Sequence, residues 1–214
     1  MYKKTQGKVW VVSGSSRNGK SVLTQSEILS FLFILVWDVD GEYTKDEWPE
    51  GGLVTVRTLN DLYNLITAKG DKPLRVAFQP ESLDVFDDFC ELAIAWGTDI
   101  QAAGIGELAV VVEETADISS PGKATGNFRI LIGRGMKRGI TLFCVTQRPS
   151  ESEKTSLGNA KYIVTYYMTR DNDKNYMAKE VGCKPEEIDG LEPYYYLKKD
   201  VDNRKIIHGT IDLG

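Results

Sequence analysis

Gly14-Ser15-Ser16-Arg17-Asn18-Gly19-Lys20-Ser21 fits the pattern G-x-x-x-x-G-K-[ST], and the residues on either side decide how it reads. Val9-Trp10-Val11-Val12 before it is a short, largely β-branched stretch that reads as a buried strand. Ser21-Val22-Leu23-Thr24-Gln25-Ser26-Glu27-Ile28-Leu29 after it can wind as a helix. A strand, a glycine-bounded loop and a helix N-terminus together gather backbone N–H groups and the positive end of a helix dipole around one anion. In that arrangement Lys20 reaches the β- and γ-phosphates of a nucleoside triphosphate, and the Ser21 hydroxyl sits on Mg²⁺. A Gly/Ser loop can match eight positions by accident, but accident does not supply the flanking strand and helix.

At 214 residues the chain is expected to form a single domain, 1–214, large enough for a three-layer core. Its apolar content of 42% and charged content of 27% are ordinary for a soluble globular protein. The longest apolar run, Ile28 to Trp37, is interrupted by Ser30 and is far shorter than the ~20 residues of a membrane span. The stretch Met1 to Lys8 is basic and lacks the apolar region of a secretory signal, so a cytoplasmic location is expected. Cys90, Cys144 and Cys183 are scattered without metal-ligand spacing and are expected to be reduced. His208, the single histidine, reads as a strand or surface residue, which leaves no material for a histidine-based triad or zinc site. A net charge of −5 argues against a protein that coats DNA, though not against a ring that touches DNA through a few loops.

The pattern alternates strand and helix throughout. Strands are expected at 8–13, 32–38, 53–57, 74–79, 107–113, 140–146, 161–168 and 194–199, with a last one near 205–211. Helices are expected at 19–30, 58–69, 82–97, 122–138, 152–159 and 171–182. Several strands are continuous apolar runs, as in a parallel sheet covered on both faces, so the fold class is α/β in three layers. The turn Trp48-Pro49-Glu50-Gly51-Gly52 separates elements rather than domains, and the final two strands read as a hairpin around Asp202-Asn203.

Three further segments carry chemistry. Leu108-Ala109-Val110-Val111-Val112-Glu113-Glu114 is an apolar strand ending in two acids, the Walker B arrangement in which the first acid serves the metal and the second polarises the attacking water. Neighbouring residues on a strand point to opposite faces, so both acids can share one site only if the chain turns there. Glu113 is one methylene longer than the usual aspartate; a solvated acid pair opening a loop is the bland alternative. Ile140-Thr141-Leu142-Phe143-Cys144-Val145-Thr146-Gln147-Arg148-Pro149 is a second apolar strand, and it ends in an amide. On a strand beside the P-loop strand, Gln147 would sense the γ-phosphate; otherwise Gln147 and Arg148 are ordinary strand-end polars. Ile34 to Tyr43, ending Asp38-Val39-Asp40-Gly41-Glu42-Tyr43, is a strand running into a glycine turn and says little by itself.

Together these segments resemble the FtsK/HerA superfamily of DNA-pumping ATPases: G-x-x-x-x-G-K-S, then D-x-D-G-E-Y, then an apolar strand ending E-E, then the T-Q-R-P ending at Thr146 to Pro149. The stretch Asn159 to Tyr167 followed by Asp171 also looks like that family's strand and helix after the sensor, so the resemblance spans about residues 8–200. A core without added domains looks like the genome-packaging ATPases of membrane-containing, tail-less icosahedral viruses.

The resemblance implies a RecA-like ATPase with a C-terminal hairpin, ATP and Mg²⁺ as ligands, and a homo-oligomeric ring, a hexamer favoured, moving double-stranded DNA. Capsid or membrane-vertex partners, the host cytoplasm and incorporation into the virion follow as expectations. By position, Gly14 to Ser21 bind nucleotide, Ser21 and Glu113 serve the metal, Glu114 is the catalytic acid and Gln147 the sensor. Arg134 and Arg138 are the candidates for an arginine finger, with Arg148 a third. A DNA contact is expected from Lys123 in the Gly/Ser/Pro-rich loop Thr115 to Gly126, which an ordinary surface loop would also explain. Two other readings stay open: a nucleotide-switched assembly protein, and a related ATPase of DNA transfer or phage assembly.

Overall fold

The computed structural model describes residues 6–43 and 52–211. The expected turn at Trp48 to Gly51 and most of the basic stretch, Met1 to Thr5, lie outside the described residues. In chain order the elements are β1 (Val9–Ser13), α1 (Lys20–Ile28), β2 (Phe33–Trp37), β3 (Val54–Val56), α2 (Leu59–Lys69), β4 (Leu74–Phe78), α3 (Phe86–Ala103), β5 (Leu108–Val112) and α4 (Thr115–Ile118). There follow α5 (Gly126–Arg134), β6 (Ile140–Thr146), α6 (Thr155–Asn159), β7 (Tyr162–Thr165), α7 (Asp171–Val181), α8 (Pro185–Asp189), β8 (Tyr195–Asp200) and β9 (Lys205–Thr210). The strands hydrogen-bond in the order β3-β4-β2-β5-β6-β1-β7-β8-β9, nine among the described residues. Pairing is parallel for β3 with β4, β4 with β2, β2 with β5 and β1 with β7, and antiparallel for β7 with β8 and β8 with β9. This is the expected α/β fold with its C-terminal hairpin.

The chain forms two compact units, one of Met1–Lys8, Ile28–Glu113 and Thr125–Leu142, the other of Val9–Glu27, Glu114–Ala124 and Phe143–Gly214. In the first, every residue of β2 and β5 is buried, which is why these strands read as unbroken apolar runs. Its core is aromatic. Trp37 meets Phe86 and Phe89 edge-on at centroid separations of 4.9 and 5.1 Å, and Phe89 stacks on Phe78 at 5.7 Å. Helix α3 runs to Ala103, six residues past the expected end at Gly97. Gly97 is a packing residue and not a stop: a Cβ there would lie 2.4 Å from Ile140 Cγ1. The helix stops instead at Gly104, which adopts a left-handed conformation with φ 69°.

The expected helix 122–138 is shorter. It becomes α5, starting at Gly126, followed by a 3₁₀ turn at Gly135–Arg138. The Asp87 carboxylate caps the start of α5, accepting the Asn127 backbone N–H at 2.6 Å and its Nδ2 at 2.9 Å. Gly133, Gly135 and Gly139 weaken the far end, where the chain tightens before β6.

In the second unit, Trp10 of β1 stacks on Phe143 at 5.4 Å and takes the Lys198 ammonium over its ring at 4.2 Å. Helix α8 was not anticipated, although Lys184-Pro185-Glu186-Glu187 carries its signal. Pro185 is at the first helical position, and Glu187 accepts the Lys184 N–H at 2.7 Å. Among the described residues no helix is long and apolar enough to cross a membrane.

Phe89→Ala removes a fully buried ring from the aromatic core. It should cost about 3–5 kcal/mol and lower the thermal midpoint by roughly 10 °C, read by circular dichroism melting.

Candidate active site

The loop after β1 is pinned at its first residues. The Gly14 N–H donates to the Thr146 carbonyl at 3.3 Å, and the Ser15 N–H to the Tyr167 carbonyl at 2.9 Å. The loop therefore hangs from the ends of β6 and β7. Gly14, at φ 152°, has no room for a side chain, since a Cβ would lie 2.5 Å from the Tyr166 Cβ. Asn18 braces the loop from within by donating to the carbonyls of Ser15 and Ser16, both at 3.1 Å. Arg17 is exposed at the crown with φ 63°. Lys20 opens α1 and is buried; its Nζ donates to the Ser15 carbonyl at 3.2 Å. Ser21 follows, half-buried, in the first turn. A buried ammonium at a helix start, beside a glycine-bounded loop, is a fitting receptor for a polyphosphate.

The two acids after β5 part company. Strand β5 ends at Val112, and Glu114 takes up a left-handed conformation with φ 46° and ψ 58° before α4 begins. The chain does turn there, at a backbone cost of order 1–3 kcal/mol for a residue other than glycine. Glu114 accepts the Gln147 backbone N–H on Oε2 at 3.3 Å. Burial pushes the Glu114 carboxyl above the ordinary carboxylate range, while the side chain and backbone of Gln147 and the charge of Lys20 pull it back. Lys20, Glu114 and Gln147 thus share one electrostatic environment within the second unit. Glu113, buried, accepts the Tyr43 hydroxyl on Oε1 at 2.7 Å within the first unit. Burial and the Glu113 charge hold the Tyr43 phenol well above its ordinary range, so it stays a donor.

A cavity of about 410 Å³ opens over Ser15 and Ser16, lined also by Gln147, Arg148, Met168, Thr169, Arg170 and Asp173. Arg148, a finger candidate, is half-exposed there, and Glu151 stands 3.7 Å from it and 2.6 Å from Arg170. Arg170 went unnoticed in the sequence. Its only signal is its place just after β7, where the Thr169 N–H donates to Ser15 Oγ at 3.0 Å. The other finger candidates lie in the first unit: Arg134 is exposed in the last turn of α5, and Arg138 is half-buried with its Nη1 buried and unbonded.

The expected DNA loop is less free than its composition suggests. It opens with α4, and Ser119 Oγ then accepts the Glu153 N–H at 3.2 Å. The Gly122 carbonyl accepts the Lys154 N–H at 2.7 Å, and the Ala124 N–H donates to Thr155 Oγ1 at 2.8 Å. Lys123 is exposed on this short anchored tip. The partner segment is spoken for, which is why the helix expected at 152–159 begins only at Thr155; the Glu153 carboxylate caps it by accepting the N–H groups of Thr155 and Ser156.

No protein-family model matches the chain. It is 29% identical over 184 residues to Protein P9 of Pseudoalteromonas phage PM2, covering 85% of this chain and 78% of that protein. The genome packaging NTPase B204 of Sulfolobus turreted icosahedral virus 2, solved in complex with AMPPCP, superposes with a TM-score of 0.74 at 18% identity, covering 96% of this chain and 98% of B204. B204 of Sulfolobus turreted icosahedral virus, a DNA-packaging ATPase, gives 0.71 at 21% identity, covering 99% and 100%. The chain shares the B204 fold. At the level of fold, the likeness read from the motifs is borne out.

Two variants probe the site. Gly14→Ala should abolish nucleotide binding, measured by titration with a fluorescent ATP analogue, because the methyl group and Tyr166 cannot both be accommodated. Glu114→Gln should raise the thermal midpoint at pH 7, since a neutral amide escapes the burial penalty borne by the carboxylate. A raised carboxyl favours the fold below its unfolded value and costs stability as pH rises through the folded one. The advantage of the variant should therefore vanish as pH falls into the ordinary carboxylate range.

Proposed function

We propose that this chain is an ATP-hydrolysing motor that translocates double-stranded DNA, acting as the packaging ATPase of a virus or phage. The observation that carries the reading is the shared environment of Lys20, Glu114 and Gln147 beside the Gly14–Ser21 loop. A loop alone binds phosphate; a half-buried carboxylate and an amide beside it make a hydrolytic site. ATP is the substrate, seated on the loop amides, with Lys20 exchanging the Ser15 carbonyl for phosphate oxygens. Glu114, made more basic by burial, orients and deprotonates the attacking water. Gln147, bonded to that carboxylate, reports whether the γ-phosphate is present.

The donors assigned to Mg²⁺ are hard oxygens, the Ser21 hydroxyl and the Glu113 carboxylate. No cluster of three or more acids, histidines and cysteines occurs among the described residues, which suits an ion held jointly with substrate phosphates and water. Bound there, the ion would neutralise charge on the triphosphate.

In this reading the whole chain, 1–214, works as one ATPase domain in a homo-oligomeric ring, a hexamer favoured. An arginine from the neighbouring subunit, drawn from Arg134, Arg138 or Arg148, completes each site. Lys123 meets DNA phosphates and reads no sequence. Its tip is tied to the segment following Gln147, a route from the γ-phosphate to DNA. What supports the viral role is the B204 fold together with the relatedness to P9, a phage protein. Capsid or membrane-vertex proteins would dock the motor in the host cytoplasm or the virion.

ATP turnover measured with and without duplex DNA, with mass determined in the same buffers, tests the reading. Lys20→Ala and Glu114→Gln should each lower turnover at least a hundredfold. Duplex DNA should raise the wild-type rate, and Lys123→Ala should reduce that stimulation several-fold. Wild-type turnover by Glu114→Gln would remove the Walker B assignment. Slow turnover indifferent to saturating DNA, with no change in mass, would replace the motor by a nucleotide-switched assembly protein.

A further inference from the structure

The D-x-D-G-E-Y segment has no part in the mechanism above, yet its first and last side chains, Asp38 and Tyr43, are fully buried in the first unit. Asp38, at the end of β2, is fully buried, and its carboxylate serves three donors. It accepts the Glu42 N–H on Oδ1 at 2.8 Å, the Tyr43 N–H on Oδ2 at 3.3 Å and the Gln79 Nε2 on Oδ2 at 3.0 Å. These bonds close the turn through Gly41, at φ 73°, and drive Tyr43 into the interior with no exposed surface. The Tyr43 hydroxyl then reaches across 70 residues of sequence to Glu113 Oε1 at 2.7 Å.

A phenol buried only for packing needs no carboxylate, and a surface acid pair needs no phenol. The arrangement spends a charge-accepting bond on fixing one oxygen of Glu113. We propose that Tyr43 is a positioning residue for the Walker B acid Glu113, held in place by the Asp38-capped turn, and that it sets how well the site takes up its divalent cation. The inference rests on the reading of Glu113 as the metal-side acid. Outer partners of metal-ligating groups typically change metal affinity or activity 10- to 100-fold when removed.

Tyr43→Phe keeps the ring and deletes only the donor. Its binding of a fluorescent ATP analogue in EDTA should match the wild type, as should its KM for ATP at saturating Mg²⁺. The Mg²⁺ concentration for half-maximal turnover should rise about tenfold or more, and kcat should fall. Gln79→Met, at a half-exposed position, loosens the Asp38 turn without touching Tyr43 and should shift the Mg²⁺ requirement the same way by a smaller factor.

Wild-type Mg²⁺ dependence in Tyr43→Phe would overturn the inference. So would loss of metal-free nucleotide binding in step with turnover, which marks general damage. Glu113→Gln, measured alongside, separates this inference from the reading beneath it. If Glu113→Gln leaves the Mg²⁺ requirement unchanged, the role of Glu113 falls. If it shifts the requirement and Tyr43→Phe does not, only the role of Tyr43 falls.

Discussion

The contact between the Glu114 carboxylate and the Gln147 backbone N–H ties together the chain leaving β5 and the chain leaving β6. Much of the candidate site depends on that tie. A carboxylate half-buried beside a lysine ammonium is costly unless its oxygens are bonded, and Gln147 supplies bonds from both backbone and side chain. The tie also demands a backbone shape that glutamate adopts reluctantly, the left-handed conformation at Glu114. Strain at one residue is accepted because it brings the Glu114 carboxylate to the Gln147 N–H.

From this tie the structure spreads along a short set of polar bonds. Thr115 Oγ1 meets Ser152 Oγ at 3.4 Å, and Ser152 in turn meets Thr146 Oγ1 at 3.2 Å. Ser119, Gly122 and Ala124 are then bonded to Glu153, Lys154 and Thr155. The segment carrying Lys123 and the segment following Gln147 are thus hydrogen-bonded to each other along their length. Composition alone marked Thr115 to Gly126 as a loose loop. Its serines and glycines instead provide the hydroxyls and the open backbone that make the anchoring possible.

How much was legible depends on the range of the forces involved. Strands β1, β2, β5 and β6 announced themselves because each is buried along its whole length, and burial on both faces leaves an unbroken apolar run. The loop at Gly14 to Ser21 was legible because its geometry needs glycines at fixed spacing, both Gly14 and Gly19 having positive φ. The errors sit where a distant residue overrules a local one. Gly97 looked like a helix end until Ile140 was found packed against it. The start of α5 was set by Asp87, some forty residues earlier in the chain. Arg170 carried no local mark, and its closeness to the loop follows from the bond between Thr169 and Ser15.

By itself the sequence determined the α/β alternation, the glycine-bounded loop between β1 and α1 and the identity of the acids and amide at the strand ends, because these rest on local periodicity and on residue chemistry at fixed spacing. The tertiary structure alone decided which partners each carboxylate meets: Glu114 turns back to Gln147 and the charge of Lys20, while Glu113 is held by Tyr43. Two adjacent glutamates are chemically identical in a sequence. Only the backbone conformation between them, and the partners that distant segments bring, make them different.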